Sequence, residues 1–306
     1  MREKNNVKKD LVEELAKKQE VYKLYETDEV LTWCDGCGNY SIQNALKRAL
    51  TLENYKPEEI LYCFDIGCQG NGSDKIGGYT FHGLHGRVIS AAAGASMANP
   101  KLKTIASGGD GGTMSEGINH LIHAVRNNYP MLFILHNNHN YGLTTGQASA
   151  TTPKGHPMNG SPDGVLTEPM NPTKFVLNLD PTFVGRSFSG DIKHMTNVFR
   201  VALNHNGFAF VEILQVCTKY NKATPQKWYW DRVKYVEDLK KYDARDISKA
   251  KEIAESFEKE IYLGVLFKNS NKLNCYEAQP NRRNIKSSPI NEVKHRSITK
   301  LLKEFR

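Results

Sequence analysis

The sequence predicts an α/β fold, with a mostly parallel sheet and helices on both faces of that sheet. Short apolar runs alternate with amphipathic stretches from residue 31 to residue 217, at the spacing of strand–helix–strand crossovers. Glycine-rich turns separate these segments. The 306 residues, 39% hydrophobic and 24% charged, have the composition of a globular protein with one large domain or two ordinary ones.

Four apolar runs predict buried strands, at residues 60–66, 104–107, 131–135 and 208–214. Four further stretches predict helices, at residues 40–50, 87–98, 115–127 and 191–206. Asp191 is the expected N-cap of the last helix, and Gly207 is its expected stop. Residues 144–190 lack a clear period and are rich in Gly, Pro, Thr and Asn, so we expect a long functional loop there.

Composition divides the chain into four segments. We expect a charged, partly helical arm over residues 1–30 and the main α/β domain over residues 31–221. Residues 222–268 are expected to extend this core with a charged helical stretch and one more apolar run, at 261–267. Residues 269–306 form a basic tail without a strong pattern.

The formal net charge of +8 first suggests nucleic acid as a partner. The tail holds nine Lys or Arg residues and three Asp or Glu residues, which is +6 of this +8. Its aromatic residues are only Tyr276 and Phe305, so the interleaved stacking groups of a nucleic-acid site are missing. Nucleic-acid binding is therefore the weakest alternative, and docking of an acidic partner protein is a compatible use of the charge.

We expect a cytoplasmic protein that does not enter a membrane. No apolar run reaches the ~18–20 residues that a membrane-spanning helix needs. The first residues alternate in charge without an apolar stretch, so no secretory signal is expected. In a reducing compartment disulfides are disfavoured, and a Cys-x-x-Cys pair indicates metal or redox chemistry.

Six cysteines occur, namely Cys34, Cys37, Cys63, Cys68, Cys217 and Cys275. The first two, in WCDGCG, are compatible with zinc, an iron–sulfur cluster or a thioredoxin-type pair. The motif precedes the strand–helix region, which disfavours thioredoxin chemistry, and no second Cys-x-x-Cys supports zinc. Two close thiols with the distant Cys68 and Cys217 suit a [4Fe–4S] cluster gathered from separate loops. Cys63 is expected in the core, and Cys275 is expected to bind nothing.

A glycine-rich turn, GGDGG at residues 108–112, directly follows the strand predicted at 104–107. Glycines there let the backbone approach a phosphate, and the next helix offers its N-terminus. Asp110 is a hard oxygen ligand of the kind that a phosphate-bridging Mg²⁺ ion requires. Asn138 follows 28 residues later, at the end of the neighbouring predicted strand. Asp110, Asn138 and the main-chain carbonyl of Asn140 are therefore candidate ligands of one Mg²⁺ ion.

Seven motifs in this order resemble those of the β subunit of the 2-oxoacid:ferredoxin oxidoreductases, which are thiamine diphosphate enzymes. They are WCDGCGNYSI, DIGCQG, FHGLHGRV, GGDGG, NHLIHAVRNN, YGLTTGQAS and FVEILQVCTKYN. The resemblance runs from about residue 33 to residue 268. It implies a thiamine diphosphate-binding fold of the diphosphate-binding type, with the cofactor, Mg²⁺ and iron–sulfur sites all within residues 31–221.

The resemblance also implies roles for particular residues. It places the [4Fe–4S] cluster at Cys34, Cys37, Cys68 and Cys217, and Mg²⁺ at Asp110, Asn138 and Asn140. It places contacts to the cofactor at Ile66, Gly67, Cys68, Gln69, Gly111, Gly112, Gly142 and Leu143, with a weaker match at His85. His120 and His123, on the helix after GGDGG, are expected to serve packing or an interface.

The implied activity is oxidative decarboxylation of a 2-oxoacid, either 2-oxoglutarate or pyruvate, with the acyl group passed to coenzyme A. The carbanion of the cofactor attacks the keto carbon, and two electrons pass singly through the cluster to ferredoxin. In such enzymes the activating glutamate belongs to a different domain. The resemblance therefore implies a partner α (or α/γ) subunit, assigns no catalytic residue to this chain, and predicts that the isolated chain is inactive.

A non-oxidative thiamine diphosphate decarboxylase or synthase is the alternative, because it would share Asp110 and Asn138 without needing four cysteines. Three positions depart from the family pattern. Asp35 stands where Pro is common, Gly112 where Asp is common, and Asn71 where a basic residue can meet a substrate's distal carboxylate. Lys75 is a candidate replacement for that charge, and the choice of 2-oxoacid is left open.

Overall fold

Eight strands form one sheet in the computed structural model, which describes residues 13–255, 257, 259–282, 285, 287–292 and 297–305. The strands are β1 (Ile60–Phe64), β2 (Tyr79–His82), β3 (Lys103–Gly109), β4 (Met131–Asn137), β5 (Phe183–Phe188), β6 (Phe208–Leu214), β7 (Val233–Tyr235) and β8 (Ile261–Lys268). Their order across the sheet is β2-β1-β3-β4-β6-β5-β8-β7. Neighbouring strands are parallel except β5 with β8, so the predicted mostly parallel sheet is confirmed.

Helices pack on both faces of this sheet, as predicted. They are α1 (Gln19–Lys23), α2 (Gly38–Leu52), α3 (Val88–Ala98), α4 (Ile118–Asn127), α5 (Pro172–Leu177), α6 (Ile192–Leu203), α7 (Gln226–Trp230), α8 (Ile247–Glu255), α9 (Pro289–Glu292) and α10 (Thr299–Leu302). One apolar core buries α2 and α6 through residues such as Ile42 and Phe199. A second core, on the opposite face, buries α3, α4, α5 and α8 through residues such as Leu121 and Val176.

The predicted helix boundaries needed correction at two places. The expected N-cap of α6 is confirmed, because the Asp191 carboxylate accepts a hydrogen bond from the His194 amide at 2.9 Å. That helix ends at Leu203 and not at Gly207. The helix predicted over 115–127 begins at Ile118, because Gly111–Glu116 form a separate π-helical turn after β3.

The prediction of one long loop over residues 144–190 was wrong in its second half. Helix α5 and strand β5 lie in this segment, and β5 is buried along its whole length. Its sequence, FVGRSF, contains Arg186 and Ser187, which interrupt the apolar pattern of a buried strand. The edge strand β2 was also missed, because its exposed residues give no burial pattern.

The N-terminal arm and the basic tail both touch the main domain. In the arm, Tyr25 is fully buried, and its hydroxyl donates to the Tyr55 carbonyl at 2.6 Å. In the tail, the Cys275 amide donates to the Asn128 carbonyl at 3.1 Å, at the edge of the sheet where β4 begins. Within the described residues, the structure contains no helix with the length and apolar character to cross a membrane.

Candidate functional site

Loops at the carboxyl ends of β1, β3 and β4 meet at one pocket. They contribute residues 66–69, 109–112, 138 and 140–144, and the loop after β2 adds His85. Parallel strands end at the same edge of a sheet, which is where α/β proteins bind ligands.

Every residue predicted to contact the cofactor lines this pocket. These residues are Ile66, Gly67, Cys68, Gln69, His85, Gly111, Gly112, Gly142 and Leu143. The three predicted Mg²⁺ ligands, Asp110, Asn138 and Asn140, line it as well. Sequence reasoning missed Gly109, Tyr141 and Thr144 in the same wall. Each of them lies inside a motif already recognised, GGDGG or YGLTTGQAS, of which only other positions were selected.

Two glycines of the GGDGG turn have no room for a side chain. A Cβ atom at Gly111 would lie 2.4 Å from the Tyr141 ring, and one at Gly112 would lie 2.3 Å from Oδ2 of Asp65. A side chain at position 112 would therefore displace the Asp65 carboxylate or the turn itself. The bare backbone of this turn is what a phosphate group can approach closely.

Asp110 is buried immediately after β3, where hydroxyl groups surround its carboxylate. Its Oδ2 accepts hydrogen bonds from Ser149 Oγ at 2.5 Å and from Thr151 Oγ1 at 2.7 Å. Its Oδ1 lies 3.4 Å from the Asn138 amide nitrogen. Burial raises the pKa of Asp110, and these hydrogen bonds oppose the rise. Sequence reasoning had not selected Ser149 or Thr151, which lie in the loop predicted to be functional.

The residues around Asp110 fit a Mg²⁺ ion. Oδ1 of Asn138 accepts from the Asn140 amide at 3.1 Å, and the Asn138 carbonyl accepts from Nδ2 of Asn221 at 3.0 Å. These bonds hold the Asn138–Asn140 turn beside the Asp110 carboxylate. Carboxylate, amide and carbonyl oxygens are the hard donors that Mg²⁺ prefers.

Four of the six cysteines, Cys34, Cys37, Cys68 and Cys217, lie on the side of the pocket where Cys68 lines its wall. The loop carrying Cys34 and Cys37 packs on the segment carrying Cys217, because the Thr218 hydroxyl donates to the Asp35 carbonyl at 2.8 Å. Trp33 Nε1 donates to the Cys68 carbonyl at 2.6 Å. Burial, followed by the charges of the Cys37, Cys217 and Cys34 thiolates, raises the pKa of Cys68 to about 12, so the four sulfurs share one electrostatic environment.

In the part of the chain that the structure describes, no three His, Cys, Asp or Glu side chains converge as ligands of one metal ion would. The cluster at these four cysteines stays a prediction. Cys63 is buried in the core of the sheet as predicted, and Cys275 lies against Met97, with 3.4 Å between the two sulfurs.

The remaining candidate residues have separate places. His85 Nδ1 lies 3.0 Å from Glu116 Oε2, although the two groups are not aligned as a hydrogen bond. His120 and His123 line a different cavity between α3 and α4. Lys75 is buried with its amine 2.8 Å from Asp74 and is absent from the pocket wall, as is Asn71. The use of Lys75 as a substitute charge for the substrate stays a prediction.

Comparisons with known proteins agree with this geometry. Residues 65–213 match the family model "Thiamine pyrophosphate enzyme, C-terminal TPP binding domain", and residues 217–283 match the model of the C-terminal part of the pyruvate ferredoxin oxidoreductase β chain. The β subunit of 2-oxoacid:ferredoxin oxidoreductase 1 from Aeropyrum pernix is 34% identical over 269 residues, which cover 85% of this chain and 84% of the relative. The chain belongs to the family of 2-oxoacid:ferredoxin oxidoreductase β subunits.

Other members of this family extend the comparison. The 2-oxoglutarate oxidoreductase subunit KorB of Mycobacterium tuberculosis is 39% identical over 200 residues, which cover 65% of this β subunit and 54% of the relative. A solved 2-oxoglutarate:ferredoxin oxidoreductase from Magnetococcus marinus, with 2-oxoglutarate, coenzyme A and succinyl-CoA bound, has a TM-score of 0.83 and 29% identity. That match covers 93% of this chain and 96% of the solved chain. The family and fold predicted from the motifs are thereby confirmed.

Proposed function

We propose that this β subunit belongs to an enzyme that oxidatively decarboxylates a 2-oxoacid, transfers the acyl group to coenzyme A and reduces ferredoxin. The observation that carries the proposal is the convergence of all predicted cofactor contacts and Mg²⁺ ligands on one pocket, at the strand ends of a thiamine diphosphate-binding domain. The four thiols beside this pocket favour an oxidoreductase over the non-oxidative alternative.

The residues of the pocket have distinct roles in this proposal. Gly111 and Gly112 would let the backbone approach the diphosphate, and the loop of residues 66–69 would face the rest of the cofactor. Asp110, Asn138 and the Asn140 carbonyl would hold Mg²⁺, which would neutralise phosphate charge. When bound, thiamine diphosphate supplies the carbanion chemistry that the protein side chains lack.

The cysteines provide the route for electrons. Cys34, Cys37, Cys68 and Cys217 would hold a [4Fe–4S] cluster, which would supply one-electron transfer toward ferredoxin. Cys68 lines the cofactor pocket and also belongs to the sulfur group, so its loop would lie between the two centres.

In this proposal the active site is completed by a partner α subunit. Leu143 lines the pocket yet is 48% exposed, and Leu84, beside His85, is 78% exposed. Apolar side chains at a pocket mouth are typical of a surface that another protein covers. The partner supplies the activating glutamate, and the assembled enzyme works in the cytoplasm. The named relatives act on 2-oxoacids, including 2-oxoglutarate, which makes these compounds the first substrates to test.

The test uses the β subunit purified anaerobically in complex with its partner. We expect viologen reduction that requires coenzyme A, thiamine diphosphate and a 2-oxoacid, scored with 2-oxoglutarate, pyruvate and longer analogues. Iron and sulfide analysis should find one four-iron cluster in the β subunit, about four irons per chain. The isolated chain should be inactive. Thiamine-dependent release of CO₂ without viologen reduction or bound iron would contradict the proposal and favour a non-oxidative enzyme.

A further inference from the structure

A row of buried polar side chains extends from Asp110 away from the pocket. Thr151 Oγ1, which lies 2.7 Å from Oδ2 of Asp110, also lies 2.9 Å from Oδ1 of Asn137. Nδ2 of Asn137 donates to Oε1 of Glu212 at 2.7 Å. Oε2 of Glu212 accepts from Nε of Arg186 at 3.0 Å. We call these five residues, Asp110, Thr151, Asn137, Glu212 and Arg186, the polar network.

The register of the sheet explains why these residues meet. Arg186 on β5 lies directly opposite Glu212 on β6, and Glu212 lies opposite Leu135 on β4. Asn137 is two residues beyond Leu135, so its side chain emerges on the same face of the sheet. The network therefore crosses three adjacent strands before it reaches Thr151 and the Asp110 turn.

Stability alone does not account for the ion pair in this network. Arg186 and Glu212 are both fully buried, and such pairs contribute little net stability because two charges lose their hydration. The pair does fix the orientation of a neighbouring amide. An ionised Glu212 can only accept, so Asn137 must present Nδ2 to it and Oδ1 to Thr151.

The orientation of Asn137 in turn constrains Thr151 and Asp110. The Thr151 hydroxyl has one proton, and its oxygen lies 2.7 Å from Oδ2 of Asp110 and 2.9 Å from Oδ1 of Asn137. The same oxygen also lies 3.1 Å from Nδ1 of His139 and 3.3 Å from Oγ of Ser149. Oδ1 of Asn137 and Oδ2 of Asp110 compete for the Thr151 proton, so the orientation of Asn137 affects the hydrogen bond that Asp110 receives. Oδ2 is the carboxylate oxygen that faces the network, while Oδ1 lies beside Asn138.

We propose that the Arg186–Glu212 pair is a positioning element for the Mg²⁺ site and acts through Asn137 and Thr151 on the Asp110 carboxylate. This inference rests on the proposed function, because it assigns the network to the metal of the thiamine diphosphate site. Metal-binding carboxylates depend on outer hydrogen bonds for their orientation, and loss of such a partner lowers metal affinity by about 10–100-fold. Neither Arg186 nor Glu212 touches the pocket itself.

The test measures metal affinity directly, with Mn²⁺ as the probe. Binding of Mn²⁺ to the complex of β subunit and partner is followed by electron paramagnetic resonance in the presence of thiamine diphosphate. We expect Glu212→Gln to raise the Kd for Mn²⁺ by about 10–100-fold, with activity recovering at high metal concentration. A purely structural role would lower the melting temperature without moving this Kd.

Two further variants keep the test decisive if Glu212→Gln fails to fold. Asn137→Leu breaks the network between the ion pair and Thr151 and should give the same rise in Kd. The double variant with Arg186→Met and Glu212→Leu removes both charges together, so the fold should persist while metal affinity falls. The matched control is Thr182→Val, which removes a buried hydroxyl at the opposite edge of the sheet, where it contacts Asn128 and His205.

Each outcome tests either the positioning role of the Arg186–Glu212 pair or the proposed function. A folded Asn137→Leu or Glu212→Gln variant that binds Mn²⁺ as tightly as the wild type overturns the positioning role. An equal loss of affinity in Thr182→Val overturns it too, because the effect would then come from general destabilisation. Failure of the wild-type complex to bind Mn²⁺ together with thiamine diphosphate overturns the proposed function instead, and the positioning role falls with it.

Discussion

Replacement of Gly112 by alanine would place a methyl carbon 2.3 Å from Oδ2 of Asp65. Oδ1 of the same carboxylate accepts hydrogen bonds from the Ile66 amide at 2.9 Å and from the Gly86 amide at 2.8 Å. The carboxylate therefore cannot retreat without pulling on the loops at both sides of the cofactor pocket. Either the GGDGG turn or the Asp65 carboxylate must move.

The expected destabilisation follows from these contacts. Forcing one extra methyl group into a filled site costs about 1–3 kcal/mol. Loss of one of the two amide hydrogen bonds to the charged carboxylate adds about 1.5–3 kcal/mol. We therefore expect Gly112→Ala to lower the free energy of unfolding by about 2.5–6 kcal/mol and to weaken thiamine diphosphate binding, because the turn that faces the diphosphate is displaced.

The assay is urea unfolding at neutral pH, together with a thiamine diphosphate titration at saturating Mg²⁺. Gly94, in the middle of α3, is the matched control, because a Cβ there would meet no atom within 4 Å. Gly94→Ala should raise the free energy of unfolding by about 0.5–1 kcal/mol, since glycine disfavours a helix interior. The reasoning is refuted if Gly112→Ala unfolds at the same urea concentration as the wild type and binds the cofactor equally well.

Three further predictions concern the metal centres and the response to pH. Asp110→Asn should abolish Mg²⁺-dependent thiamine diphosphate binding while the fold persists, since the change keeps the shape of the side chain and removes its charge. Calorimetric titration of the cofactor with and without Mg²⁺ measures this binding. Unchanged binding would exclude Asp110 as a ligand. Cys217→Ser should lose bound iron in an anaerobic iron and sulfide assay while Cys275→Ser keeps it, and equal iron in both would contradict the cluster assignment. Burial lowers the pKa of His205 to about 4, below its unfolded value near 6.5, so the unfolded chain binds more protons in this window. The free energy of unfolding should therefore fall as the pH drops from about 6.5 to 4, by at most about 1.4 kcal/mol per pH unit from this residue. When the free energy is measured by urea unfolding at several pH values, His205→Gln should show a weaker dependence on pH than the wild type. An equal dependence on pH in the two proteins would exclude the contribution of His205.

The cofactor pocket was accessible from the sequence because its residues lie in short local motifs. The GGDGG turn, Asn138 and the loop of residues 66–69 each follow a strand directly. Their residue types are set by local requirements, namely backbone without side chains near a phosphate and oxygen ligands near a cation. Parallel strands then bring these turns to one edge of the sheet, so the motifs predict their own convergence.

Strand β5 was not predicted from the sequence, because its burial depends on a residue that is distant in the chain. Arg186 in its middle is a charged residue, and charged residues in a sequence indicate exposure. Burial of Arg186 is acceptable only because Glu212 lies opposite on β6, 26 residues later in the chain. The residues near β5 in the sequence do not include that partner, so the strand was interpreted as part of a loop.

The sequence by itself determined the fold class, the family and most of the residues that line the pocket, because each depends on residue types at short spacing. The tertiary structure decided which glycine has no room for a methyl group and which partner the Lys75 amine has. It also decided how the other four residues of the polar network connect to Asp110. Those outcomes depend on strand register and on contacts between distant segments. A one-residue change in register would turn Glu212 or Asn137 to the other face of the sheet and break the network, and no local pattern records that alignment.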